Sequence, residues 1–182
     1  ARIIDYNPAR EVKRPSQDTS TSPTSRALTV QQIRKLLELI PAGVYRRYAA
    51  ALVFTGMRAG EATAQRVRDA DLEQNILRIS RSFSPGKNGE LIEQSPKSHK
   101  EREAPITKQL RPFVIEAVEG KEPDDLLWAG QNGGRLTARN FRRAVDWEEI
   151  KQELRRPDLR VHDLRHTFAT ILFDAGASAP DV

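Results

Sequence analysis

Val161-His162-Asp163-Leu164-Arg165-His166-Thr167-Phe168-Ala169-Thr170, near the end of the chain, combines two histidines and an arginine at helical spacing. A helix here separates a polar face from an apolar face, with His162, Arg165, His166 and Ala169 on the first and Leu164, Phe168, Ile171 and Leu172 on the second. An arginine presents a planar fork of donors that suits a phosphate, and an imidazole beside it can exchange a proton near neutral pH. The pattern favours a phosphate site, although a polar stripe on a helix is more commonly its solvated face. Polar residues elsewhere in the sequence are needed to decide between a phosphate site and a solvated face.

A second polar group lies where a buried helix is predicted to end. The apolar run 45–54 has no polar face in its second half, and Gly56 follows it as a C-cap. Met57-Arg58-Ala59-Gly60-Glu61-Ala62 then begins a short helix, whose first turn carries free backbone N–H groups and the positive end of the helix dipole. Arg58 is therefore predicted to point at an anion.

The apolar period changes to two after Asn75, which predicts β-strands. The alternation runs to Phe83, and two further runs, 91–95 and 102–106, follow turns rich in Pro, Gly and Lys. We predict a three-stranded antiparallel meander. Basic residues on its turns are well placed to contact DNA, but they also protect exposed sheet edges. The residues concerned are Lys87, Lys97, His99 and Lys100 on the turns, together with Arg102 at the start of the third strand.

The remaining periodic segments predict helices. Their bounds, taken from capping residues, are 30–40 behind a Thr29–Gln32 capping box, 107–118 behind Thr107, and 137–156 behind Thr137. Trp128 and Trp147 fall on apolar periodic positions and are predicted in the core. No internal repeat of about 20 to 50 residues occurs. The predicted fold class is α+β, mainly α-helical with one small three-stranded antiparallel sheet.

Residues 1–25 form a distinct region, because prolines flank a Ser/Thr-rich run that buries little apolar surface. We interpret this region as a linker or arm from an upstream DNA-binding domain that is missing here, followed by a folded domain over 26–182. Its basic residues Arg10, Lys13 and Arg14 are candidates for contact with a DNA backbone, and a solvated tail explains them equally well.

The composition is basic and free of cysteine. Thirty Lys and Arg against 25 Asp and Glu give a formal net charge of +5, which favours an anionic partner but is common among basic proteins. The absence of cysteine excludes disulfides, Cys-based zinc sites and thiol catalysis. The longest apolar run, 48–54, is too short to span a bilayer, and no leader opens the sequence. We therefore expect a cytoplasmic protein with no membrane partner.

Three motifs taken together resemble the tyrosine recombinase (phage integrase) family. They are Thr55-Gly56-Met57-Arg58-Ala59-Gly60-Glu61, the turn lysine Lys97, and His162-x-x-Arg165-His166, in the family's order and on compatible elements. The match covers most of residues 26–182. The resemblance implies a tyrosine recombinase catalytic domain-like fold, and a site-specific DNA recombinase or integrase that cuts and rejoins strands through a 3′-phosphotyrosine. It implies double-stranded DNA as partner and a tetrameric synapse of the full-length protein on the nucleoid, with no small-molecule substrate, cofactor or metal.

The resemblance assigns roles to individual side chains. Arg58 and Arg165 correspond to the arginines that clamp the nonbridging oxygens of the scissile phosphate, where charge builds up in the transition state. His162 corresponds to the residue that hydrogen-bonds the phosphate or takes the tyrosine proton. Glu61 is the acid that supports Arg58, and His166 is expected to be a structural partner beneath the site.

The resemblance also implies a catalytic lysine, which protonates the leaving 5′ oxygen as a general acid. Lys97 is preferred because its spacing to the third predicted strand, 101–106, is similar to the family pattern. Lys87 and Lys100 remain alternatives for this role, and both are otherwise assigned, with Arg102, to DNA binding.

The nucleophilic tyrosine of the family follows the helix that carries H-x-x-R. The three tyrosines of this sequence, Tyr6, Tyr45 and Tyr48, all precede that helix. The resemblance therefore implies an incomplete catalytic domain that ends before its nucleophile and is inactive by itself.

Three other functions are weighed against this interpretation. A non-catalytic DNA-binding remnant explains the charge and the lysine turn, but not why Arg58 and Glu61 accompany His162 and Arg165. A type IB topoisomerase shares the chemistry and is disfavoured only by the compact size and the H-x-L-R-H form. A metal-dependent nuclease requires carboxylates clustered at ligand spacing, and the sequence contains no such cluster.

Overall fold

The part of the chain that the structure describes contains seven α-helices, a short 3₁₀ helix (Val67–Asp69) and five short β-strands. The computed structural model describes residues 26–86, 90–94, 101–130 and 133–176. The helices are α1 (Val30–Leu39), α2 (Val44–Thr55), α3 (Ala59–Thr63), α4 (Arg111–Val118), α5 (Ala138–Ala144), α6 (Trp147–Glu153) and α7 (Asp163–Asp174). The strands are β1 (Ala70–Asp71), β2 (Ile76–Ile79), β3 (Ser82–Pro85), β4 (Leu91–Gln94) and β5 (Arg102–Pro105). The predicted class, mainly helical α+β, is confirmed.

The ends of the first two helices follow from local signals. The Thr29 hydroxyl accepts a hydrogen bond from the Gln32 amide at 3.2 Å, and the Gln32 side chain accepts one from the Thr29 amide at 3.0 Å. This is the predicted capping box of α1. α2 is almost entirely buried and ends at Gly56, whose φ of 61° lies in the left-handed region that glycine adopts at low cost. Both predictions are confirmed.

α7 packs against the end of α2 so closely that Gly56 has no room for a side chain. A Cβ atom at this position would lie 2.4 Å from Cδ1 of Phe168. Thr167 attaches α7 to the segment before α1, because its buried hydroxyl oxygen accepts a hydrogen bond from the Leu28 amide at 3.0 Å. These contacts hold Arg165, on the first turns of α7, directly beside Gly56.

The faces of α7 match the predicted amphipathic pattern in part. Leu164 is fully buried, and three other residues of the predicted apolar side are half-buried, namely Phe168, Ile171 and Leu172. Two polar residues, Asp163 and Thr167, are also buried, and the Thr167 hydroxyl donates a hydrogen bond to the Asp163 carbonyl at 2.9 Å. Internal hydrogen bonding lets these polar groups share the buried face.

The strands do not form the predicted meander. β3 pairs antiparallel with β4, whereas β5 pairs with β2, which gives one sheet of order β1-β2-β5 and a separate β3-β4 hairpin. The predicted first strand is interrupted at Ser80 and Arg81. A continuous strand would place the Arg81 guanidinium on the apolar face with Ile79 and Phe83, which is unfavourable for an unpaired charge. The guanidinium instead forms an ion pair with the buried Asp69.

Two predicted helices also differ in their bounds. The helix behind Thr107 begins at Arg111, after a turn in which the Thr107 hydroxyl accepts the Leu110 amide at 3.3 Å. The helix predicted over 137–156 is two helices, α5 and α6, because Asp146 adopts a left-handed conformation with φ of 48°. The break turns Trp147 into the core, where its indole N–H donates to the Leu159 carbonyl at 3.2 Å.

One apolar core joins the helices to the sheet. The two tryptophans predicted as core residues, Trp128 and Trp147, are both buried in it. The ring of Trp147 lies 5.8 Å from that of Phe141 on α5, and the Phe141 ring lies 5.2 Å from that of Tyr48 on α2. Within the described ranges, no helix has the length and apolar character needed to cross a bilayer.

Candidate active site

Arg58 stands at the N-terminal end of α3 because Gly56 ends α2 and redirects the chain there. It occupies the N-cap position with extended backbone angles. Glu61, three residues on, reaches back to it: one carboxylate oxygen accepts the Arg58 amide at 2.8 Å, and the other accepts the Arg58 Nη1 at 3.0 Å. The Arg58 side chain is 40% exposed, whereas Glu61 is fully buried. Arg58 therefore combines a backbone held in place by Glu61 with an accessible guanidinium, an arrangement that an anion-binding arginine requires.

Gly60, between them, allows α3 to lie directly on β3. A Cβ atom at Gly60 would lie 2.4 Å from the Phe83 carbonyl oxygen and 2.9 Å from the Ser82 hydroxyl oxygen. A Cβ atom essentially never lies this close to another atom, and the Phe83 carbonyl belongs to the backbone and cannot rotate away. The close approach keeps the Arg58–Glu61 turn at a fixed position on the hairpin.

Arg102 provides a second cation for the same carboxylate. It is the first residue of β5, and its Nη1 and Nη2 donate to the two Glu61 oxygens at 3.1 and 2.6 Å. Burial alone would raise the pKa of Glu61, but hydrogen bonds from Arg102 and Arg58 more than offset this effect and hold the pKa below its usual value. Glu61 is therefore ionised at neutral pH.

Arg165 approaches the same place from α7. Its Nη1 donates to the carbonyl of Gly56, two residues before Arg58. Partial burial, followed by repulsion from Arg58 and Arg102, lowers the pKa of Arg165, and Glu61 opposes this shift. Arginine nevertheless stays protonated in proteins. Three guanidinium groups thus act on the one Glu61 carboxylate, among the described residues, and leave two positive charges in excess.

His162 lies just before α7 and faces these cations. Partial burial lowers its pKa first, and repulsion from His166, Arg165 and Arg58 lowers it further, against a smaller opposing effect of Asp163. The imidazole is thus neutral near pH 7, where it can donate one hydrogen bond and accept another.

His166 corrects one expectation. It was predicted beneath the site, but its side chain is exposed, and its ring meets that of His162 edge-on with centroids 5.0 Å apart. The reason is helical geometry, since a residue four positions after His162 lies on the same face and shares its exposure.

Three predicted lysines cannot be placed against this site. Lys87, Lys97 and Lys100 lie outside the described residues, as does His99. The described chain leaves β4 at Gln94 and resumes before β5.

The two described tyrosines are buried or half-buried, and the Tyr48 hydroxyl donates a hydrogen bond to the Ala59 carbonyl at 3.5 Å. Tyr48 is fully buried in α2, and burial raises the pKa of its phenol. Tyr45 is half-buried against Phe141, with ring centroids 6.3 Å apart. Tyr6 lies outside the described residues.

A basic face on α5 was not anticipated from the sequence. Arg139, Arg142 and Arg143 are exposed at i, i+3 and i+4, and no ion pair joins them to another described residue. The spacing Arg-x-x-Arg-Arg behind a Thr cap was a signal available in the sequence. A groove of about 510 Å³ leads from this face past Trp147 to His162.

Comparison with known proteins agrees with this architecture. The model of the "Phage integrase family" matches residues 26–182. The tyrosine recombinase XerC of Bacillus subtilis (strain 168) is 29% identical over 186 residues, covering 100% of this chain and 58% of XerC. The integrase of Mycobacterium phage FRAT1 is 29% identical over 194 residues, covering 100% of this chain and 54% of the integrase. The chain thus spans somewhat more than half the length of these curated relatives.

Solved structures share the fold. The Tn1549 transposon integrase in complex with transposon right end DNA superposes with a TM-score of 0.73 at 22% identity, covering 97% of this chain and 60% of that one. The XerA recombinase superposes with a TM-score of 0.62 at 19% identity, covering 85% of this chain and 53% of that one. With the family model matching residues 26–182, this chain belongs to the phage integrase family.

Proposed function

We propose that this chain supplies the phosphate-binding catalytic surface of a site-specific DNA recombinase or integrase, which cuts and rejoins strands through a 3′-phosphotyrosine. The observation that carries the proposal is the meeting of Arg58, Arg165 and His162 where α3 and α7 begin. Two arginines from different elements share one positive region with a neutral imidazole. The relatives named as recombinases and integrases support the same conclusion.

The chemistry uses these groups in separate roles. Attack on a phosphodiester builds negative charge on the nonbridging oxygens, and two preorganised guanidinium groups stabilise that charge more in the transition state than in the ground state. Arg58 and Arg165 take this role. His162, neutral at pH 7, hydrogen-bonds the phosphate or accepts the proton of the nucleophile. A lysine of the segment between β4 and β5, with Lys97 preferred, protonates the leaving 5′ oxygen.

The partner in this proposal is double-stranded DNA. The exposed arginines of α5 and the groove that leads from them to His162 form a basic path that suits a phosphate backbone. The reaction is assigned to a tetrameric synapse of the whole protein, on DNA in the cytoplasm. The structures of the Tn1549 transposon integrase that share this fold are complexes with DNA, which supports the choice of partner.

A non-catalytic DNA-binding module is the second candidate. The basic face of α5 favours it, because that face needs no chemistry to bind a backbone. It does not explain why a buried glutamate orients Arg58 beside Arg165, since surface lysines would bind phosphate as well. The two functions therefore differ in what Arg58 does.

The test uses the native gene product and a plasmid that carries the DNA flanking the gene. Arg58→Ala and Arg165→Ala should each reduce strand cleavage about 100- to 1,000-fold, because each removes transition-state stabilisation. Duplex binding should change little by comparison. Arg34→Ala is the matched control, since Arg34 is an exposed arginine on α1 away from the site.

The outcomes separate the candidates. Cleavage that survives in Arg58→Ala at the rate of the Arg34→Ala control contradicts the catalytic assignment and leaves the binding module. Relaxation of the plasmid without exchange of strands between two DNA sites identifies a topoisomerase rather than a recombinase.

A further inference from the structure

We propose that Arg102 is a positioning residue: it acts through Glu61 to hold the Arg58 guanidinium ready for a phosphate, and does not itself bind DNA. The inference rests on the proposed function for the role of Arg58. It replaces the assignment of Arg102 to DNA binding that the sequence favours.

Arg58 and Arg102 each donate two hydrogen bonds to the Glu61 carboxylate. Each oxygen accepts one hydrogen bond from Arg58 and one from Arg102, at distances of 2.6 to 3.1 Å. The two bonds from Arg102 are the parallel pair that a guanidinium fork makes with a carboxylate. Arg58 contributes its backbone N–H and a single side-chain nitrogen.

Because Arg102 supplies two of the four hydrogen bonds to Glu61, most of the Arg58 guanidinium donors remain available to a phosphate. Of the Arg58 side-chain nitrogens, Nη1 hydrogen-bonds Glu61, and no other hydrogen bond joins that guanidinium to a described residue. Its remaining donors lie on a side chain that is 40% exposed. If Arg102 were absent, the buried carboxylate would have Arg58 as its main counter-charge, and both would be drawn into a fuller pair. Arg102 thus neutralises the glutamate so that Arg58 need not.

The position of Arg102 in the fold suits this role. It begins β5 and lies opposite Ile79 of β2, so its backbone is fixed by the sheet. Its side chain is 34% exposed, less than that of Arg58, and both of its terminal nitrogens are engaged with Glu61. A guanidinium committed in this way has little capacity left for a DNA phosphate.

The first experiment titrates Glu61 in the 182-residue chain by carboxyl ¹³C NMR. The pKa of Glu61 should rise in Arg102→Gln, because two hydrogen bonds and a charge that favour the ionised form are lost. Arg102→Lys, which restores the charge without the fork, should bring it part of the way back. An unchanged pKa in Arg102→Gln would overturn the proposal.

The second experiment measures the salt dependence of duplex DNA binding. Arg102→Gln should leave the slope of log affinity against log salt unchanged, whereas Arg139→Gln, the control for an exposed arginine, should reduce it by about one. An equal reduction in both variants would mean that Arg102 contacts a phosphate, and the positioning role would be wrong.

The third experiment asks whether Arg102 acts through Glu61. In the native gene product, Arg102→Gln should slow strand cleavage about a hundredfold, because Arg58 is misplaced. In a Glu61→Gln background the same change should cost nothing further. Independent, multiplying losses would contradict the proposal. If the wild-type protein neither binds nor cleaves DNA, the proposed function fails, and the Glu61 titration still decides the role of Arg102.

Discussion

At the scale of single residues, the charge of the site depends on one buried carboxylate. Glu61 is fully buried yet ionised, because donors from Arg58 and Arg102 compensate for the water it has lost. The same carboxylate lies within the electrostatic reach of Arg165. A change at Glu61 therefore alters three cations at once, and its effect on stability depends on pH.

Glu61→Gln should destabilise the fold at pH 7 by about 2–3 kcal/mol, below the range for fully buried pairs because both arginine partners reach water. The folded-state pKa of Glu61 is lowered, so its stabilising effect is complete above the unfolded pKa of about 4.3 and is lost as pH falls through the folded pKa. Urea unfolding at several pH values measures both effects.

The wild-type chain should therefore lose stability more steeply than Glu61→Gln below about pH 4.3. Glu153→Gln is the matched control. An ion pair with Lys35 also lowers the pKa of Glu153, but both side chains are exposed, so its effect on the pH profile should be smaller than that of Glu61. Parallel pH profiles for the wild type and Glu61→Gln would show that Glu61 does not carry this linkage.

At the scale of elements, capping residues and apolar periodicity predicted the helix ends that depend on neighbouring residues, but not the features that depend on distant ones. The Thr29 cap and the Gly56 helix end depend on neighbouring residues, so the sequence predicted both. The partner of β5 depends on pairing across more than twenty residues, and the break of α5 from α6 depends on the burial of Trp147. Neither leaves a periodic signal. The Arg102–Glu61 pair joins residues 41 positions apart, and only the full burial of Glu61 reveals that it needs a second donor.

The contact between α2 and α7 gives a prediction at this scale. Gly56→Ala should destabilise the fold by about 2–5 kcal/mol, because it adds a clash with Phe168 to the strain of a positive φ. Gly120→Ala is the matched control, because Gly120 also has a positive φ, of 67°, but nothing lies within 4 Å of its added Cβ. Its cost should be about 1–2 kcal/mol.

Denaturant unfolding of the two variants isolates the packing contribution as their difference. Equal costs at Gly56 and Gly120 would mean that Phe168 moves aside freely, and that α7 is not held against the end of α2.

At the scale of the whole molecule, the site is assembled from parts distant in sequence. Arg58, Arg102 and Arg165 come from a helix end, a strand and a second helix, and the core beneath them fixes their spacing. The family motifs predicted two of these three as catalytic, because they name residue types on particular elements. They gave no information on the basic face of α5, whose Arg142 lines the same groove as His162.

The positions of the tyrosines give a prediction for the 182-residue polypeptide. A polypeptide of these 182 residues should form no covalent adduct with a nicked suicide substrate, although it binds the DNA. A nucleophile must approach within about 3–3.5 Å of the phosphorus, in line with the leaving oxygen. Tyr48 is buried with a raised pKa, and Tyr45 packs against Phe141.

Denaturing gels of the reaction measure this outcome, and gel shifts of the same mixtures establish that the DNA was bound. An adduct that disappears in Tyr45→Phe or in Tyr6→Phe would identify the attacking residue and contradict the placement described above.

The hydrogen bond between Leu28 and Thr167 has a mechanical consequence. The amide of Leu28 is attached to α7 two residues beyond Arg165, and Arg156 holds the carbonyl of Ala27 from the preceding loop. Tension applied to the chain at residue 26 is therefore borne by these bonds before it reaches α1. Part of any such load reaches the helix that carries Arg165, so a pull on this end of the domain should shift Arg165 relative to Arg58.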